Sequence, residues 1–240
     1  MKITVHSYRF AQEIFQHANY QLVWDEIIGV CQNTPLFVWP NKSAKNAKLD
    51  VVQQLLNVYF DRRLAIDLGW QHHPLATKIV ESGLRADFRK SFSDMSVQVE
   101  VQFGNMARWY SDIFKFQTAY SQGLVQAAIS IVPMGVLGRR IDSNIAHYER
   151  ALRELPSADL SITLPILLIG LEPDETTQVI DVSQSHFGVV GDLTGKKKAD
   201  NLWRVVNGLL AGDSINDIGP QSEIGPQIEI TAEEAGEETD

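Results

Sequence analysis

The residues best able to do chemistry fall in one short alternating stretch. Over residues 95 to 103, Val97, Val99, Val101 and Phe103 lie on one side and Gln98, Glu100 and Gln102 on the other, which is the period-two pattern of a strand. Asp87 stands thirteen residues before Glu100. If residues 87 to 92 and 95 to 103 are the arms of a hairpin, Asp87 returns to the neighbourhood of Glu100. Two carboxylates brought together repel, which raises a pKa and favours a shared divalent cation. On alternation alone, the same polar face could be the solvated side of a half-exposed strand. Asp94, six residues from Glu100, competes with Asp87 for the role of first carboxylate.

A hairpin of this kind needs a scaffold, and the rest of the chain supplies its elements. Residues 9 to 31 carry Phe10, Ile14, Phe15, Ala18, Leu22, Val23 and Ile27 at helical spacing, so a helix or a helix pair opens the domain. Helical periodicity stops near Pro40 and resumes at Val51, Val52, Leu55, Leu56, Val58 and Tyr59, with a loop bearing Lys42, Lys45 and Lys48 between. After the polar-faced strand, Met106, Trp109, Tyr110, Ile113, Phe114, Phe116 and Tyr120 predict a helix with a broad apolar side. Residues 124 to 132 and 164 to 171 are apolar runs bounded by Gly or Pro, in the manner of buried central strands, and residues 144 to 155 read as a helix between them. Strands separated by helices predict an α/β fold, a mixed central sheet flanked by helices on both sides.

Composition sets limits on partners. The chain has 240 residues, 44% of them hydrophobic, and a formal charge of −9. Nine of its 30 acids lie in residues 213 to 240, which hold no Lys or Arg; removing them leaves 21 acids against 21 bases. The body is therefore neutral and has room for a basic cleft, while the last segment reads as an acidic, disordered tail. The expected division is a domain at 1–212 and a tail at 213–240. No apolar run approaches a membrane span and no signal-peptide layout opens the chain, so a soluble, cytoplasmic protein with no membrane partner is expected. The single cysteine, Cys31, sits in an apolar run as a buried, inert thiol.

The stretch Ala86-Asp87-Phe88 followed by Val99-Glu100-Val101-Gln102-Phe103-Gly104-Asn105 resembles the active-site hairpin of the BglII/BstYI family of type II restriction endonucleases, in the PD-(D/E)XK superfamily. Ile131-Val132-Pro133-Met134, the Tyr148-Glu149 pair, and the run from Pro165 to Pro173 resemble that family's later blocks in the same order. The resemblance implies a restriction-endonuclease-like fold and a nuclease that hydrolyses double-stranded DNA at a short palindrome, with a central GATC in relatives. It implies Mg²⁺ and no organic cofactor, and a homodimer, because a self-complementary site matches a two-fold protein.

By the same resemblance, Asp87, Glu100 and the Val101 carbonyl hold the metal. Gln102, where the wider group usually has Lys, orients water or phosphate; having no titratable group, it cannot be the base. The resemblance assigns base reading to Asn105 and to a loop before the Tyr148-Glu149 helix with Arg139, Arg140, Asp142, Ser143 and Asn144, residue types that suit guanine and adenine edges. Ser143 and Asn144 could equally cap a helix, and the arginines could equally clamp phosphate. His72 and His73 stand near where the family places an auxiliary site residue, and Lys196, Lys197 and Lys198 form a basic turn. A structure-directed or repair nuclease and a catalytically silent DNA-binding module are the alternatives.

Overall fold

A computed structural model describes residues 1–44, 46–159, 161–194 and 198–228. A six-stranded mixed sheet forms its centre, in the order β1 (Lys2–Tyr8), β7 (Ile166–Glu172), β6 (Ala127–Pro133), β5 (Met95–Val101), β4 (Phe88–Phe92), β3 (Gln71–His72). β5, β6 and β7 run parallel, whereas β1 pairs antiparallel to β7 and the β3-β4-β5 end is an antiparallel meander. A parallel two-stranded ribbon, β2 (Leu36–Val38) with β8 (Val179–Asp181), stands apart.

Each face of the sheet is covered, as its near-continuous apolar central strands require. On one face Val97, Val99, Ile129, Ile131, Leu167 and Ile169 pack with α2 (Gln21–Gln32), α3 (Gln53–Phe60) and α7 (Ala199–Ala211). On the other, Ala128, Val132, Ile166 and Leu168 pack with α4 (Met106–Ser121) and α6 (Tyr148–Glu154) through Trp109, Ile113, Phe116, Tyr148 and Ala151. Burying each large apolar side chain contributes on the order of 1.5–3 kcal/mol.

Helices fall close to the predicted segments, with informative differences. The opening segment is a pair, α1 (Ala11–Phe15) and α2. α3 continues through Asp61–Asp67 in wider turns, with Leu68 N–H reaching the Arg63 carbonyl. The apolar side of α4 is narrower than its sequence suggests, since Tyr110 is 43% and Phe114 63% exposed. Arg139 and Arg140 lie not in a loop but in the last turn of α5 (Gly135–Ile141).

The packed body also runs beyond residue 212. Ile218 is buried, Ile224 and Ile228 pack on the core, and the Asn207 side chain donates to the carbonyls of Ile224 and Pro226. This corrects the expected tail boundary: the apolar Ile218, Ile224 and Ile228 anchor a stretch whose acids and glycines had masked them. Residues 229–240 lie outside those described, as do Lys45, Lys196 and Lys197.

Candidate active site

β4 and β5 form the predicted hairpin. Its turn is Ser93-Asp94, with Ser93 at φ 57°, and Phe88 pairs with Val99. Asp87, one residue before β4, therefore lies alongside Glu100, one step further in the same register. Asp87 Oδ2 accepts a hydrogen bond from Val101 N–H at 2.7 Å, which fixes the carboxylate against β5. Asp94 sits at the opposite end of the hairpin, where it accepts from the Tyr20 hydroxyl at 2.7 Å.

The middle of the polar face of β5 does not meet solvent, whereas Ser96 and Gln102 toward its ends are half-buried. Gln98 and Glu100 are both 0% exposed, because α4 lies across them. Glu100 Oε1 accepts from Gln98 Nε2 at 2.8 Å, and Oε2 accepts from Lys115 Nζ at 3.0 Å. Lys115 also donates to Asp112 Oδ1 at 3.1 Å, and Asp112 Oδ2 accepts from Gln102 Nε2 at 2.7 Å. Gln102 Oε1 in turn accepts from Gly104 N–H at 2.7 Å. That last contact requires glycine, since a Cβ at position 104 would lie 2.6 Å from Gln102 Oε1.

Charge in this pocket is costly and shows in its titration. Burial, then the fields of Asp87 and Asp112, push the Glu100 carboxyl well above the usual range, with Lys115 opposing. Burial raises Asp112 to about 6 despite Lys115, and Asp87 adds to the rise. Burial works against the Lys115 ammonium, but Glu100, Asp112 and Asp87 outweigh it and hold the amine firmly protonated. Upward shifts shared by two carboxyls and an amine mark groups that share charge in a low-dielectric site.

Asp112 and Lys115 were not among the sequence candidates. The signal was present in Asp112, which falls on the same helical arc as Trp109, Ile113 and Phe116, so a carboxylate stands on the face that α4 buries.

The residues assigned to base reading come together at the end of β5. Asn105 caps α4, its Oδ1 accepting from Arg108 N–H at 3.0 Å, and it bridges to Ile145; Ala146 N–H donates to the Gly104 carbonyl at 2.8 Å. Ser143 and Asn144 are exposed next to this junction, and neither caps α6, whose N-cap position is His147. Arg139 is exposed. Arg140 instead makes two bonds to Asp50, from Nε at 2.9 Å and Nη2 at 2.7 Å, an arrangement that braces α5. Glu149 accepts from Gly135 N–H and so ties the start of α5 to α6.

His72 and His73 stack at 3.7 Å, and His73 N–H donates to the Asp87 carbonyl at 3.0 Å, so the pair borders the carboxylates. Lys42 is turned inward onto the Val51 carbonyl, and Lys198 pairs with Asp192 at 3.6 Å. The Cys31 thiol is fully buried, which pushes it up to about 12.

A mixed sheet with two carboxylates on adjacent arms of an antiparallel hairpin, beside a following helix, defines the restriction-endonuclease-like nuclease class. Within it, the family described as restriction endonuclease BglII/BglIII matches residues 3–171, and the chain belongs to that family of site-specific deoxyribonucleases. The chain is similar to restriction endonuclease BglII crystallised with a DNA 16-mer, at 25% identity and TM-score 0.61, over 74% of this chain and 81% of that one. It is also similar in fold to free BglII, at 24% identity and TM-score 0.53, over 74% and 82% of the two chains. No curated protein sequence matches it. No helix among the described residues is long and apolar enough to cross a membrane.

Proposed function

We propose that the protein is a type II restriction endonuclease that acts as a homodimer, with Mg²⁺, on a short palindrome in double-stranded DNA, one containing GATC. The observation that carries this reading is Asp87 lying in register beside Glu100, with Asp87 drawn onto the Val101 amide. The DNA bound in the BglII complex supports the choice of substrate, and self-complementary DNA calls for two-fold symmetry.

The donor chemistry fits a hard cation. Two carboxylates and the Val101 carbonyl offer oxygen ligands, and the buried Gln98 Oε1 has no hydrogen-bond partner among the described residues. No three His, Cys, Asp or Glu converge as a ligand cluster among the described residues, so water and phosphate would complete the shell, as Mg²⁺ commonly requires. When bound, the ion supplies a Lewis acid for the scissile phosphate and lowers the pKa of a bound water.

In this reading Asp87 and Glu100 hold the ion. Gln102, fixed at both ends by Asp112 and Gly104, aligns water or phosphate with the amide hydrogen left over, and takes no proton. Asn105, Ser143, Asn144 and Arg139 face the bases or the adjoining phosphates. Arg140, held by Asp50, acts there only through α5 unless DNA releases it.

The test pairs cleavage in Mg²⁺ with gel shifts in Ca²⁺. Asp87→Ala and Glu100→Ala are expected to abolish cutting and leave DNA binding largely intact; normal cutting by either removes the assignment. Digestion of phage DNA should give discrete bands whose sequenced ends reveal the site, whereas a smear favours a structure-directed nuclease.

A further inference from the structure

The cation nearest Glu100 comes from neither arm of the hairpin. Lys115 reaches across from α4, its side chain 18% exposed, to Glu100 Oε2 at 3.0 Å and Asp112 Oδ1 at 3.1 Å. Both oxygens of Glu100 are committed, one to Gln98 and one to Lys115. Both oxygens of Asp112 are committed too, one to Lys115 and one to Gln102. The bonds form one chain from Gln98 through Glu100, Lys115, Asp112 and Gln102 to the Gly104 amide, running from β5 to α4 and back. Arg89, the other cation close to Glu100, is turned to the Leu75 carbonyl at 2.6 Å.

We propose that Lys115 is a positioning residue of the cleavage centre: an ammonium tethered by Asp112 that occupies the cation place at Glu100 and yields it to a divalent ion. The inference rests on the reading of Asp87 and Glu100 as the metal-holding pair. A divalent ion at Glu100 Oε2 competes with Lys115 for that oxygen, because two like charges would stand a few ångströms apart with little water between them. Asp112 gives the displaced ammonium a place to stay, so the exchange does not strand a buried positive charge. A helix lysine in this role also explains why a carboxylate is tolerated on the buried arc of α4.

The test measures ion binding directly, with Ca²⁺ and the full chain, by calorimetry and by thermal shift. Lys115→Met and Lys115→Gln remove the competing charge and are expected to bind Ca²⁺ at least about tenfold more tightly than wild type, the floor set by a neighbouring unit charge even when water screens it. Lys115→Arg keeps the charge and is expected to restore wild-type affinity. A purely structural lysine would lower stability in Met and Gln and leave affinity unchanged or weaker, and that result overturns the proposal.

Asp87→Ala separates the two levels of the argument. If no protein shows Ca²⁺ binding that Asp87→Ala removes, the metal-holding pair itself is wrong and the proposal falls with it. If such binding exists but ignores Lys115, only the proposal falls. Should the Met and Gln variants fail to fold, amine acylation of the unaltered protein decides: Ca²⁺ is expected to raise Lys115 labelling relative to exposed Lys2, and unchanged labelling overturns the exchange.

Discussion

Replacing Asp112 by asparagine should make the protein more stable at neutral pH, although it removes a residue with two well-formed hydrogen bonds. In the folded chain burial raises the Asp112 carboxyl from 3.8 to about 6. Below the unfolded value the group is protonated in both states and costs nothing. As pH rises from about 4 to 6, the unfolded chain releases this proton while the folded chain keeps it, so stability falls; above about 6 the full penalty applies. At about 1.4 kcal/mol for each tenfold change, the rise is worth about 3 kcal/mol. Asparagine resembles the protonated acid and has no such titration. Asp112→Asn and wild type are therefore expected to melt together near pH 4, with the variant ahead by about 6–12 °C at pH 7, given about 2–4 °C per kcal/mol in a chain of this size. Thermal unfolding followed by circular dichroism over this pH range measures the gap. Parallel curves, or a gap that opens in favour of wild type, would refute the reasoning that the carboxylate's charge is the costly element.

Other expectations follow from single contacts. Gly170→Ala would set a Cβ 2.5 Å from Met134 Sδ and 2.8 Å from the Tyr148 ring, so denaturant unfolding should show a loss of about 1–3 kcal/mol; a neutral effect would mean that α6 shifts freely. Arg140→Ala should cost about 1–2 kcal/mol, less than a fully buried pair because the side chain is 34% exposed, and a double-mutant cycle with Asp50→Ala should reveal the coupling. Cys31, pushed up to about 12, should resist iodoacetamide at pH 8 in the native protein and react on unfolding; rapid native labelling would contradict its burial.

The hairpin was legible because its signal is local. Alternating valines set the strand, and its register places Asp87 beside Glu100 without help from distant residues. Whether Gln98 and Glu100 face water or protein was not legible, since a period of two distinguishes faces but does not say what covers each one. α4 settles that, and it brings Asp112 and Lys115, whose spacing of three residues also suits an ordinary solvated ion pair. β1 was missed because its alternation is short, with only Ile3 and Val5 apolar between polar neighbours, and its pairing with β7 spans most of the chain. Arg140 shows the limit from the other side: an arginine near an exposed polar loop looks available until Asp50, ninety residues earlier, is folded against it.

The hydrogen bond from Ala146 to Gly104 joins the exposed 143–144 loop to the segment that follows β5 and carries Gln102, with Asn105 as the cap of α4 between them. Under the proposed function, selectivity and turnover then share one mechanical link. A base pair that pulls this loop out of place also disturbs the start of the helix that carries Asp112 and Lys115. Such a protein would discriminate against wrong sites in its rate of strand scission as well as in its grip on DNA.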